Sequence, residues 1–324
     1  MPRKTIIFGN GLGMALDPEF FSLDSAIGRT WGGDVLSEEQ KRLVSQCLPP
    51  DAYDRPHGEA DMDTLHKALS ACDVLNSVGE GRIHWLTPQG QGFPRAVRRF
   101  FYYIARGFHR YSDGLPDPFI DALAGFLEET NSHVATLNYD NLIYQPLIER
   151  EVLRGYDGAL CDGFHDSGCA PDNLERRYNH DFGYYLHLHG SPLFIDRDRA
   201  TIKLAQGDEP SSGDVVGSHI VLTHVRHKAS VIDASEVLFI YWRYFVQAIG
   251  ESEEVILLGY SGLDVHLNAI LQSSPQHVRF RVVEWNCVGE EAVRVQFWRQ
   301  RLGREDTVLV RLPSILNFDG WNAA

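Results

Sequence analysis

Apolar residues along this chain follow two rhythms. Short runs rich in β-branched side chains are cut off by glycine or polar clusters. Longer stretches place apolar residues three and four apart. The first kind reads as buried strands and the second as amphipathic helices. Strand runs fall at Lys4–Phe8, 133–137, 184–189, 255–258, 280–284 and 307–311. Helical spacing covers 35–47, 62–78, 93–111, 118–130, 141–154, 234–249 and a short piece at 267–271. Ser37 followed by Gln40, and Asp61 before Thr64, resemble helix starts. Residues 20–33 show little periodicity and read as a loop able to close over a ligand. Residues 155–181 read as an irregular excursion. Residues 192–232 read as a small β-rich one ending in a strand at 219–223. Strands alternating with helices predict an α/β protein with a Rossmann-like parallel sheet. The block 34–130 has no strand pattern and is expected to be a helical insertion subdomain. Residues 1–33 and 131–324 would then form the Rossmann domain.

Four of the strand runs end in polar clusters. These are Gly9-Asn10-Gly11-Leu12-Gly13, Thr136-Leu137-Asn138-Tyr139-Asp140, His187-Leu188-His189-Gly190 and Gly259-Tyr260-Ser261-Gly262-Leu263-Asp264. Ligands of open α/β sheets bind beyond the carboxyl ends of the strands, so one shared pocket is expected. A glycine-rich turn entering a helix can cradle phosphate, or can simply be a tight turn. Asn138 and Asp140 would share one strand face, where an amide and a carboxylate suit ribose hydroxyls or a carboxamide. His189 reads equally as a general base at a strand end or as a structural histidine. His187 and His189, extended by His219, His224 and His227, could ligate a metal. No acidic or cysteine partner follows in a ligand spacing, so no metal is expected. There is no G-x-S-x-G elbow and no Walker lysine.

Composition narrows the partners. A net charge of −14 argues against a broad nucleic-acid surface. The exception is Arg95, Arg98, Arg99, Arg106 and Arg110, whose spacing suggests one basic helix face, either solvated or turned to an acidic partner. The nearby aromatics Phe100, Phe101, Tyr102, Tyr103 and Phe108 read as core or interface rather than a base-stacking platform. The five cysteines are odd in number and lack a C-x-x-C, which makes a disulfide framework unlikely. No run approaches the roughly 20 apolar residues of a membrane helix. Met1-Pro2-Arg3-Lys4 leads straight into a strand, so no signal peptide, no direct membrane contact and a cytoplasmic location are expected.

Gly9-Asn10-Gly11, Thr136-Leu137-Asn138-Tyr139-Asp140, Leu188-His189-Gly190 and Gly259-Tyr260-Ser261 with Asp264, in this order, resemble the sirtuin superfamily. The familiar sirtuin forms are G-A-G, T-Q-N-x-D, H-G and G-x-S. The Asn-x-Asp and His-Gly pair is the specific part, and the likeness runs from residue 4 to about 286. It implies His189 as the catalytic base, Asn138 positioning the nicotinamide ribose and a water, and Asp140 at the nicotinamide end. Gly9, Asn10, Gly11 and Gly13 would lie by the diphosphate. Gly259 and Ser261 would bind the adenosine half, Asn286 falls where sirtuins place an adenosine-ribose contact, and Asp264, also expected to bind the cofactor, follows the G-Y-S-x-x-D form of the bacterial sirtuin-like NADases. The four zinc cysteines of deacylase sirtuins do not follow Gly190, and the G-I-P-D-F-R stretch is missing. The helical insertion resembles instead the prokaryotic antiphage sirtuin-like enzymes, which hydrolyse NAD to nicotinamide and ADP-ribose and deplete the cell. That resemblance implies NAD as substrate, a homo-oligomer, and a separate trigger such as a HerA-type ATPase or a short Argonaute. The rival readings are an NAD-dependent protein deacylase or ADP-ribosyl transferase, a non-catalytic NAD or ADP-ribose sensor, and a Rossmann dehydrogenase.

Overall fold

The structure, a computed structural model, describes residues 2–49, 55–79, 84–165, 168–198, 200–222 and 225–322; the side chains of 225–227, 229 and 230 also lie outside it. Strand β1 (Lys4–Phe8) runs into a one-turn helix α1 (Gly11–Met14). Five helices follow: α2 (Leu23–Gly32), α3 (Glu38–Cys47), α4 (Gly58–Val78), α5 (Pro88–His109) and α6 (Asp117–Thr130). The chain re-enters the sheet as β2 (His133–Thr136) and leaves through α7 (Tyr144–Glu149). Three two-residue strands come next, β3 (Leu160–Cys161), β4 (Phe164–His165) and β5 (Gly168–Cys169), then β6 (Gly183–His187). After β7 (Phe194–Arg197), β8 (Ala200–Lys203) and β9 (Val215–Val216) stand α8 (Val225–Ala234) and α9 (Glu236–Glu251). The last part alternates β10 (Glu254–Leu258), α10 (Val265–Gln272), β11 (Arg279–Trp285), α11 (Glu291–Leu302) and β12 (Val308–Leu312).

Seven strands form one parallel sheet in the order β12-β11-β10-β1-β2-β6-β3. The fold is thus α/β and Rossmann-like, as the strand–helix alternation predicts. Every residue of β1, β2, β6 and β10 is buried. Helices cover both faces of such a sheet, which is why its strands read as unbroken apolar runs. Chain order reverses at the centre. Strands β2, β6 and β3 lie on one side of β1, while β10, β11 and β12 lie on the other. The carboxyl ends of β1 and β10 therefore flank a topological switch point, the place where such sheets open a crevice.

At the opposite edge, Lys4 pairs with Glu254 in the register of β1 and β10. Lys4 Nζ is 2.8 Å from Glu254 Oε2, and Arg281 Nε donates to Glu254 Oε1 at 3.0 Å. All three side chains are buried. A one-residue slip would separate them inside the protein, so they fix the register of three strands.

Several local expectations hold. Ser37 and Gln40 make a reciprocal capping box at the head of α3. Phe100, Phe101, Tyr102 and Phe108 are core residues. Others do not hold. Residues 20–33 contain helix α2, whose buried face is only Ala26 and Ile27, too narrow to show as a period. The helix expected over 141–154 shrinks to the six residues of α7. Helix α11 buries only Trp298 and Leu302 and carries almost no apolar rhythm. The β-rich reading of 192–232 is right for β7, β8 and β9 but wrong for α8. The run from His219 makes a single bridge, Gly190 with Ile220, rather than a strand; Thr223 and His224 lie outside the described residues.

Three of the five arginines on and just after α5 find acids within the chain. Arg106 is 3% exposed and bonds Glu209 at 3.2 Å and the carbonyl of Asp208. Arg110 also bonds Glu209, Arg98 bonds Asp73, and Arg95 reaches the Ser212 carbonyl. Arg99 lies over the Tyr103 ring. Among the described residues, no helix is long and apolar enough to cross a membrane.

The packing at the centre of the sheet sets a stability difference. Ile256 is fully buried on β10, whereas Val308 on the edge strand β12 is 51% exposed. Ile256→Ala is expected to cost about 2–5 kcal/mol. Val308→Ala should cost under about 1 kcal/mol. Urea unfolding midpoints of the two variants check this.

Candidate functional site

Beyond the carboxyl ends of β1, β2, β6, β10 and β11 lies a cleft of about 610 Å³. Nine sequence-identified residues line it: Gly9, Asn10, Gly11, Asn138, Asp140, His189, Gly259, Ser261 and Asp264. Gly13 and Asn286 do not. A Cβ on Gly13 would sit 2.4 Å from the Phe21 ring, so that glycine is required by packing. Asn286 is exposed and extends the β11 ladder by donating its N–H to Leu312 O at 2.9 Å.

The floor is made by two glycine turns in backbone contact. Gly9 N–H donates to Leu258 O at 3.0 Å and Gly11 N–H to Gly259 O at 2.9 Å. A Cβ on Gly9 would approach Gly259 O to 2.6 Å, and one on Gly11 would come as near to Gly259 Cα. Gly259 itself adopts φ +65°, a left-handed conformation natural to glycine. The Gly11 N–H is spent on this contact and does not point to a ligand.

Asn138 stands on this floor. Its Nδ2 donates to Gly9 O at 3.0 Å, and its backbone N–H donates to Thr136 Oγ1 at 3.0 Å. Its Oδ1 is buried and has no hydrogen-bond partner among the described residues. A fixed amide with one unused buried acceptor is unusual, because buried polar atoms are nearly always paired. The cleft is where a donor can meet it. Asp140 accepts from Leu142 N–H at 3.1 Å, and burial pushes its carboxyl up to about 6.

His189 follows β6 and is 8% exposed. Its Nε2 lies 2.9 Å from Asp264 Oδ2. Lys228 Nζ, from α8, donates to the same oxygen at 2.8 Å and stands 3.5 Å from Nε2. Burial lowers the His189 pKa, the Lys228 charge lowers it further, and Asp264 opposes both. The imidazole is neutral at neutral pH. Burial works against ionised Asp264, yet His189 and Lys228 outweigh it and hold that carboxyl far below its usual range. Its other oxygen caps α10, accepting from the N–H groups of His266 and Leu267. Gly190 is constrained by the His219–Ile220 segment: at φ +83°, its Cβ would lie 1.6 Å from His219 O.

Residues invisible to motif reading complete the walls. Glu59 comes from α4, Phe108 from α5, Lys228 from α8 and Arg294 from α11. Arg294 is bound to Glu284, with its Nε 3.1 Å from both carboxylate oxygens, and Trp298 Nε1 donates to the same carboxylate at 2.9 Å. The lining carries Glu59, Asp140, Asp264 and Glu284 against Lys228 and Arg294, an acidic balance. Among the described residues, no three His, Cys, Asp or Glu side chains gather as a metal site. His187 is enclosed by aromatic rings, and His219 is bound to Asp196 and Ser235. The side chain of His227 lies outside the described residues, as does His224. Set against known proteins, the sequence matches no family model and no curated protein.

Asp140 gives the site a pH signature. Its carboxyl rises from an ordinary 3.8 to about 6 in the folded chain. The folded state holds this proton more tightly, so stability falls as pH climbs from about 4 past 6. Allowing for water at its half-buried edge, the loss is on the order of 2 kcal/mol. Asp140→Asn should therefore be more stable than the parent chain near pH 8 and no more stable near pH 4. Denaturant unfolding at the two pH values measures it.

Proposed function

We propose that the cleft binds NAD and hydrolyses its nicotinamide–ribose bond, releasing nicotinamide and ADP-ribose. The observation that carries this reading is the buried Oδ1 of Asn138, unpartnered among the described residues, in the same cleft as a neutral His189. An acceptor fixed in place suits a ribose hydroxyl or an attacking water, and a neutral imidazole can take that water's proton. The order of the strand-end motifs and their likeness to sirtuins support the same choice.

In this reaction the bond from the ribose C1′ to the nicotinamide nitrogen breaks, and its electron pair leaves with nicotinamide. The cationic pyridinium becomes neutral while positive charge develops on the ribose. Glu59 and Asp140 line the cleft and favour that charge. The water oxygen bonds to C1′, and its proton passes to His189 and then to solvent. Positioning supplies much of the rate, since the leaving group is already activated. On this reading the chain is a sirtuin-like NAD hydrolase. It would be an antiphage effector, kept silent in an assembly until a separate partner triggers it.

The test is NAD consumption by the purified chain, alone and with candidate partners, with products resolved. His189→Ala and Asn138→Ala should each lower turnover by roughly 100-fold or more while circular dichroism shows the fold retained. Undiminished turnover in folded His189→Ala would overturn the assignment. Release that requires an acetylated peptide would move the reading to a deacylase.

A further inference from the structure

We propose that Asp264 and Lys228 are positioning residues that set the tautomer and the neutral state of His189, leaving Nδ1 as the lone pair offered to the cleft. The kinetic half of this inference rests on the NAD-hydrolase reading; the structural half does not.

The geometry starts from Asp264. Its carboxylate cannot turn freely, because Oδ1 is held by two backbone N–H groups at the head of α10, at 3.0 and 3.1 Å. Tyr260 OH adds a further restraint by accepting from the Asp264 N–H at 3.0 Å. Oδ2 is thereby presented to His189 Nε2 at 2.9 Å. An ionised carboxylate only accepts, so Nε2 must carry the hydrogen. Nδ1 is then the unprotonated nitrogen of a neutral ring. No described residue is hydrogen-bonded to Nδ1, and His189 lines the cleft.

A carboxylate alone would also stabilise imidazolium, which is useless as a base. Lys228 prevents this. Its ammonium shares Oδ2 with the imidazole and stands 3.5 Å from Nε2. It neutralises Asp264 and places a like charge beside any imidazolium. Both side chains are buried, at 6% and 5% exposure, so water screens the effect weakly. Among the described residues, Glu59 on α4 also acts on His189; it opposes Lys228 but is itself exposed. Orientation by Asp264 without protonation by Asp264 therefore depends on Lys228. That lysine reaches the site from α8, outside all four strand-end motifs.

The experiment is an imidazole ¹⁵N NMR titration of the full chain, assigned with His189→Gln, in parallel with the pH profile of kcat/KM for NAD. In the parent chain His189 should carry its hydrogen on Nε2 and stay neutral to below the ordinary histidine range. Lys228→Met removes the charge and keeps much of the bulk. Its His189 midpoint should rise by about one pH unit or more, and the acid limb of kcat/KM should rise with it. Lys228→Arg should restore the parent midpoint. Asp264→Asn can donate to Nε2 and so favours the hydrogen on Nδ1. It should lower kcat across the whole pH range by roughly 10²–10⁴-fold, a loss that pH cannot rescue. A parent ring protonated on Nδ1, or an unshifted midpoint in folded Lys228→Met, overturns the proposal. If no form of the chain consumes NAD, the titration still decides the positioning role, and the hydrolase reading fails by itself.

Discussion

The molecule depends on a contact with no side chain in it. Beyond the ends of β1 and β10, the turn at Gly9–Gly11 lies directly on the turn at Gly259, backbone on backbone. Any Cβ on Gly9 or Gly11 would meet this neighbour at 2.6 Å, so the two central strands could not stay paired as they leave the sheet. The contact is held from the far end by Lys4, Glu254 and Arg281, whose buried charges fix the strand register. Glycine at one edge and an ion cluster at the other thus secure the same two strands. The apolar runs between them provide burial but little positional information, because one valine or isoleucine resembles the next.

The polar atoms above that floor divide into those that are satisfied and those that are not. Gly11 N–H, Asp264 Oδ1 and Glu284 are occupied by other parts of the chain. Asn138 Oδ1 is not. The satisfied groups build the walls, and an unsatisfied one such as Asn138 Oδ1 marks where a ligand has something to gain. Asp264 belongs with the walls through one oxygen and with the chemistry through the other. Its motif gives no hint of this division, since capping and histidine orientation both require only an aspartate.

The sheet was legible in the sequence because a doubly covered parallel strand has to be a short continuous apolar run. Lys4–Phe8 and Glu254–Leu258 show this plainly. Their polar successors were legible for the same reason: whatever follows such a strand emerges at one end of the sheet. The helices α2, α8 and α11 were harder to see. Two, α2 and α11, bury only two side chains each and need no wide apolar stripe. Arg95, Arg99 and Arg110 are exposed, as a solvated face requires, but the acid shared by Arg106 and Arg110, Glu209, is about a hundred residues away along the chain and left no local signal. Lys228 was hidden for a similar reason. Nothing local distinguishes a lysine that reaches a buried carboxylate from one in water. Gly13 carried a signal that pointed to phosphate, whereas the space is taken by Phe21.

The pairing of β1 with β10 joins residues roughly 250 positions apart. During synthesis β1 can acquire β2 as a neighbour once the first part of the chain has emerged, but its other edge stays bare until β10 is made. Closing so long a loop is slow, and a hydrophobic strand edge left waiting invites the wrong partner. The floor of the cleft and the partner of His189 arrive with β10 and the turn behind it, and Glu284 and Arg294 of the wall come later still. A nascent chain that has not yet reached Asp264 therefore carries most of the site's residues without the site. Completion of the fold and completion of the cleft are one event.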